Sequence, residues 1–168
     1  KPGWSPTEDG FSVEANLPES WTWAPTELIC DARRPLGYGV IKLGPETPDG
    51  VPTLRSSDVR PLFIDASGIK RINPEISNQY TRTILRGGEV LVTVRGTLGG
   101  VAVVHKEMAA YNVSREVAVL AVQGSMNADF VAYSIASMQS QNWLAERAKG
   151  VAYTGINIED LRLLPLPL

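Results

Sequence analysis

Gly88-Glu89-Val90-Leu91-Val92-Thr93-Val94-Arg95-Gly96-Thr97-Leu98-Gly99-Gly100-Val101-Ala102-Val103-Val104 is the stretch on which the fold turns. Residues 89–94 are rich in β-branched side chains and bounded by glycines, which reads as a strand. Residues 95–100 read as a glycine-rich loop, 101–104 as a second strand, and 117–122 as a third. A strand with one wet face alternates apolar and polar residues. These runs are almost continuously apolar, so they predict strands covered on both faces or at the centre of a barrel.

Toward the N-terminus, Tyr38-Gly39-Val40-Ile41-Lys42-Leu43 alternates and predicts another strand. Pro45, Pro48, Asp49-Gly50 and Pro52 supply turn chemistry, and 53–59 and 62–64 read as short extended pieces. Residues 1–16, with Pro2, Gly3, Pro6 and Gly10, read as an arm, and 17–168 as one domain. After Gly124 the period changes. Asn127 predicts the cap of a helix over 128–140, with Val131, Ile135 and Met138 at helical spacing. A second helical piece is expected over 143–148, ending at Gly150, and Asn157 with Asp160 predicts a capping box for a turn at 158–161. The closing Leu163-Leu164-Pro165-Leu166-Pro167-Leu168 is extended and too apolar to lie free in water. The expected fold class is α+β: a twisted mixed β-sheet or partial barrel over 36–122, with a small C-terminal helical subdomain over 128–149.

The chain has 168 residues, 43% of them hydrophobic, enough for one sizeable core. One Cys cannot form an internal disulfide, and one Cys with one His cannot supply the ligands of a zinc site. No metal is therefore expected. No apolar run approaches the roughly 18 residues of a membrane span. The opening Lys1-Pro2-Gly3-Trp4 has neither Met nor an apolar leader, which suggests a piece of a longer cytoplasmic protein.

The net charge of −2 hides an uneven distribution. Residues 1–31 carry a net −5, 32–115 a net +5, and 116–168 a net −2. Nine of the twelve bases in the middle block are Arg, whose planar fork suits phosphate and guanine. The same counts also describe an ordinary solvated surface.

Other constellations point to less. Cys30 and His105 could form a thiolate and base, but Cys30 follows Leu28-Ile29 as a small core residue would. The loop at 96–100 lacks the Lys-Ser/Thr ending of a P-loop and leads into a strand. It is either a tight turn or a place where nucleic acid could approach the backbone. Trp4, Trp21, Trp23 and Trp143 could build a sugar platform or simply fill core positions.

The order of several segments resembles one family. Leu17-Pro18-Glu19-Ser20-Trp21 is similar to a Leu-Pro-x-Gly-Trp opening. Tyr38-Gly39 followed by Gly50-Val51-Pro52-Thr53-Leu54-Arg55-Ser56-Ser57-Asp58-Val59 resembles Tyr-Gly … Gly-x-Pro-x-Leu-Arg-x-x-Asn-Ile. The hairpin at 88–99 resembles Gly-Asp-Ile-Leu … Gly-x-x-Gly, and 150–161 with Leu164-Pro165-Leu166-Pro167 resembles a closing signature. These belong to target-recognition domains in the specificity subunit of type I restriction-modification enzymes. Ser20, Glu89 and Asp58 depart mildly from the pattern.

The resemblance implies sequence-specific binding of double-stranded DNA, one half of a bipartite target, with no catalytic residue in this chain. The partners it implies are a methylation subunit and a restriction subunit, which would bring S-adenosylmethionine, ATP and Mg; this chain would need no cofactor. It also implies one recognition domain without the helical spacer that usually follows. The residues expected to touch DNA, from chemistry and loop position, are Arg33, Arg34, Tyr38, Lys42, Arg55, Lys70, Arg71, Tyr80 and Arg95, with Thr97, His105 and Lys106 behind them. Two other readings stay open here: the recognition domain of a single-chain restriction-methyltransferase, and a non-catalytic β-rich module binding carbohydrate or protein.

Overall fold

The computed structural model describes residues 17–148 and 155–168; the expected arm at 1–16 and the cap at Gly150 lie outside them. Eleven short strands and four α-helices appear among the described residues. In chain order the first strands are β1 (Trp23–Pro25), β2 (Gly37–Tyr38), β3 (Val51–Leu54), β4 (Val59–Arg60), β5 (Phe63–Ile64) and β6 (Lys70–Ile72). Helix α1 (Pro74–Ser77) runs into a 3-10 stretch, Asn78–Thr83. Then come β7 (Val90–Thr93), β8 (Val101–Val103), β9 (Asn112–Val113), β10 (Val117–Leu120), α2 (Ala128–Ala136), α3 (Met138–Arg147), α4 (Ile158–Leu163) and β11 (Pro165–Pro167).

The fold class is α+β, and the strands divide into several sheets with no closed barrel among the described residues. The central sheet is antiparallel, in the order β2-β10-β7-β8. The quoted stretch forms its middle. Val90, Val92, Val101, Ala118 and Leu120 point to one core, with Val131, Ile135, Trp143 and Leu144 of the helices. Leu91, Ala102, Val117 and Val119 point to a second core on the opposite face, with Leu54, Val59 and Val113. The alternation of a strand is intact, but both faces are dry, which is why the sequence runs unbroken. The second face is covered by a mixed sheet, β6-β3-β9, in which β3 and β9 are parallel.

Several features differ from the sequence reading. The strand expected at 38–43 shortens to Gly37–Tyr38, because the chain leaves β10 and bridges Val40 to Ser114 beside β9. The single helix expected over 128–140 breaks at Ser137, whose extended backbone (φ −58°, ψ 149°) ends α2. Its hydroxyl oxygen then accepts from the Ser140 N–H to cap α3, which absorbs the piece expected at 143–148. Asn157 sits at the N-cap of α4 but its side chain makes no capping bond, so the expected box is absent.

The apolar tail lies on the domain. β11 pairs antiparallel with β1, Leu164 and Leu166 are buried, and the Thr26 N–H and hydroxyl both donate to the Leu164 carbonyl at 2.9 Å. Among the described residues the tryptophans do not form a sugar platform: Trp143 is a core residue and Trp23 packs against the same core, while Trp4 lies outside the described residues. Trp21 meets Phe130 edge-on at 5.5 Å.

Candidate nucleic-acid interface

The register of the central sheet sorts the basic residues. Val90 pairs with Val103 and Val92 with Val101, so Arg95 and Thr97 lie beyond one end of β7-β8, and His105 and Lys106 beyond the other. Tyr38 pairs with Ala118, which pairs with Val92, and so belongs to the Arg95 end.

Several segments converge there. The Val94 and Arg95 N–H groups donate to the Glu116 carbonyl, and the Ile156 N–H donates to the Val94 carbonyl at 2.7 Å. Arg95 bridges Gly155, and the Arg115 N–H donates to the Val40 carbonyl at 2.9 Å. The result is an open groove of about 420 Å³ lined by Tyr38, Ile41, Arg95, Arg115, Asn157 and Ile158, among others. The Arg95 and Arg115 side chains are exposed and have no ion-pair or hydrogen-bond partner among the described residues. Asn157 is exposed, and its amide, not spent on capping, lines the groove.

A second cavity of about 370 Å³ adjoins it and shares Tyr38, a residue about half exposed at 49%. Tyr80, Gln79 and Arg82 form part of its wall, and Leu36, Val119 and Ala121 are apolar lining. Tyr38 therefore stands between two adjoining hollows.

Of the other expected contacts, Arg33, Arg34, Arg55 and Arg71 have partners within the chain. Arg34 is largely buried: its guanidinium donates to Glu89 at 2.7 Å and to the carbonyls of Arg82 and Ile84. Arg55 forks onto Asp58 at 3.1 and 3.2 Å and donates to the Gly68 carbonyl at 2.8 Å. The bond to Asp58 raises the Arg55 pKa above its ordinary value. Arg33 is exposed and forks onto Asp31, whose carboxyl those bonds hold below its usual range. Arg71 donates to the Gly50 carbonyl, in β6 next to Lys70 and away from the central sheet. Lys42 is exposed in the segment that leaves Tyr38.

The glycines of the 95–100 loop answer to internal packing. Gly96 has φ +76° and a Cβ there would press on the Ser56 hydroxyl, while a Cβ on Gly100 would collide with the Val59 carbonyl. Burial pushes the Cys30 thiol up to about 12, and its sulfur faces the Thr26 carbonyl. An exposed His105 shares nothing with it, so the thiolate-base pair is not formed.

Sequence reading brought Tyr38, Tyr80 and Arg95 to this region and missed Arg115, Asn157 and Arg82 as a group. Arg115 lies between two strands and Asn157 looked like a cap, so neither carried a local signal.

No protein-family model matches the chain. It is 30% identical over 154 residues to the Type I restriction enzyme EcoBI specificity subunit of Escherichia coli, covering 90% of this chain and 32% of that protein. The chain thus spans about one third of the curated relative it matches. Its fold is similar to the S subunit of a type I restriction-modification system from M. genitalium, at TM-score 0.57 and 19% identity, covering 92% of this chain and 36% of that one. It is also similar to the HsdS subunit from Thermoanaerobacter tengcongensis, at TM-score 0.60 and 22% identity, covering 93% and 35%. A chain from a structural study of assembly and conformational transition in the type I system matches at TM-score 0.58 and 20% identity, covering 94% and 36%. Sequence likeness over nine-tenths of its length, with a shared fold, makes this chain a relative of the type I restriction specificity subunits.

Proposed function

We propose that this chain binds duplex DNA in a sequence-specific way through the face centred on Tyr38, and so reads one half of a bipartite target for a type I restriction-modification complex. The observation that carries the reading is the pair Arg95 and Arg115, two exposed guanidiniums without internal partners, mounted on pinned backbone in one groove with Asn157. A cation held free of ion pairs at a sheet end is available for phosphate or a guanine edge, and a free Asn amide suits adenine. Lys42 extends the face, and Tyr80 and Arg82 continue it across the second cavity. Thr97, on the loop after Arg95, is a further contact in this reading.

The chain carries specificity and no chemistry: methyl transfer, ATP hydrolysis and their cofactors belong to the methylation and restriction subunits with which it assembles, in the cytoplasm. The test is selection of bound sequences from a random duplex library, with affinity followed over salt. A single half-site offers few phosphate contacts, so binding is weak and weakens steeply with salt as counterions are released. Affinity that stays flat from low to physiological salt, with no sequence enriched, would refute it.

A further inference from the structure

The cavity between Tyr38 and Tyr80 is more elaborately built than a surface dent requires. Its wall is the 3-10 stretch Asn78–Thr83, and that stretch departs from helical geometry at Tyr80 (φ −121°, ψ 48°). The departure is held from behind. Thr83 Oγ1 lies 3.1 Å from the Tyr80 carbonyl and 2.8 Å from Asn112 Oδ1, and the buried Asn112 amide donates to Ser77 Oγ at 2.9 Å. Just beyond, Arg34 Nη2 donates to the carbonyls of Arg82 (3.3 Å) and Ile84 (3.1 Å). Arg34 thus engages the backbone carbonyls at 82 and 84, and Thr83, beside the buried Asn112, backs the turn at Tyr80. Fixing a wall in advance lowers the ordering cost of binding whatever it faces.

We propose that this cavity receives one nucleobase-type ring, with Arg82 taking the phosphate that accompanies it. Its volume of about 370 Å³ falls within the range of sites that hold small organic ligands, roughly 300–1,000 Å³. The phenol rings of Tyr38 and Tyr80 line it with apolar Val119 and Ala121, surfaces on which a flat ring gains contact. Gln79 supplies an amide with both a donor and an acceptor, the pairing that a base edge presents in return. Arg82 is exposed, and its guanidinium has no partner among the described residues. A base turned out of a duplex and a free nucleotide offer the same ring and phosphate. The proposal rests on the DNA-binding reading only for the first of these sources.

The 168-residue chain is probed by saturation-transfer NMR with the four deoxynucleoside monophosphates, and with deoxyribose 5-phosphate as the ringless control. The expected result is saturation of base protons in at least one nucleotide and none in the sugar phosphate. Tyr80→Ala should weaken that nucleotide about tenfold, as loss of one stacking surface does. Arg82→Ala should weaken the nucleotide and leave the corresponding nucleoside unchanged, and Phe63→Ala, away from the cavity, should change neither. Gln79→Ala serves if Tyr80→Ala does not melt as a folded protein. No base saturation from any nucleotide overturns the proposal, as does full binding in both the Tyr80 and Gln79 variants.

A second arm uses a random duplex pool containing 2-aminopurine. A fluorescence rise on binding that Tyr80→Ala abolishes assigns the ring to DNA, while nucleotide binding without that rise assigns it to free nucleotides; both support the pocket. Duplex binding with neither response leaves the DNA-binding reading standing and removes this proposal alone.

Discussion

Arg34 and Glu89 meet at 2.7 Å across 55 residues of sequence, with side-chain exposures of only 13% and 3%. The pair closes the end of the central sheet opposite to Arg95. Glu89 also accepts the N–H groups of Arg86 and Gly87 at 2.8 Å, while Arg34 holds two carbonyls of the preceding segment. One ion pair thereby anchors both sides of the turn that leads into β7. Breaking such a pair leaves an uncompensated buried charge. Glu89→Ala should therefore destabilise the chain by about 3–5 kcal/mol in denaturant melts. A loss below about 1 kcal/mol, the scale of an exposed pair, would show that water reaches the site.

Arg95 and Arg115 should behave in the opposite way. Neither side chain makes an ion pair or hydrogen bond among the described residues, so Arg95→Ala and Arg115→Ala should melt close to the parent chain. Affinity for a selected duplex should fall by about 1–3 kcal/mol for a base reader, or evenly over all sequences with a salt slope shallower by about 1 for a phosphate contact. Unchanged binding in the double variant would withdraw both residues from the interface.

Arg55 was grouped with the DNA contacts on the sequence and is bound inward here. Asp58 is buried and receives the Arg55 fork, the Arg55 N–H and the Ser57 hydroxyl. The arginine itself is about one-third exposed, which screens the pair. Arg55→Ala should cost about 1–2 kcal/mol of stability from the under-satisfied carboxylate. Its effect on duplex affinity, measured well below the melting temperature, should be small.

The tail is part of the core. Leu164→Asp or Leu166→Asp places a charge where the present side chain is at most 1% exposed. Either change should remove several kcal/mol and leave little folded chain at 37 °C, checked by circular dichroism. A variant that melts normally would mean that β11 is not a structural strand.

Cys30 gives a pH signature. Its thiol is pushed up to about 12 by burial, while an unfolded cysteine titrates near 9. Below about pH 9 both states hold the proton and the contribution is constant. Between about 9 and 12 the unfolded chain loses a proton that the folded chain keeps, so stability falls as pH rises. Cys30→Ala should flatten that alkaline decline. At pH 8 the native thiol should resist a disulfide reagent that labels the unfolded chain at once.

The central strands were legible because their chemistry is local. Val90, Leu91 and Val92 are all apolar, so a strand covered on both faces or at the centre of a barrel followed from the residues, and the structure shows the first. Asn127 before α2 and the unsolvated tail were legible for the same reason: a cap and an apolar run act on their neighbours. The ordered segments around Tyr38, Gly50, Gly88 and Leu164 were enough to suggest the family. What only the tertiary structure decided was the fate of each arginine. Arg34, Arg55 and Arg95 look alike in sequence, each beside a turn. A carboxylate reaches the first from 55 positions away and the second from three, and none is aimed at the third. A guanidinium is free or spent according to which acid the folded backbone brings within about 3 Å. For Arg34 that distance was set by the pairing of β2, β10 and β7, and no local pattern encodes it.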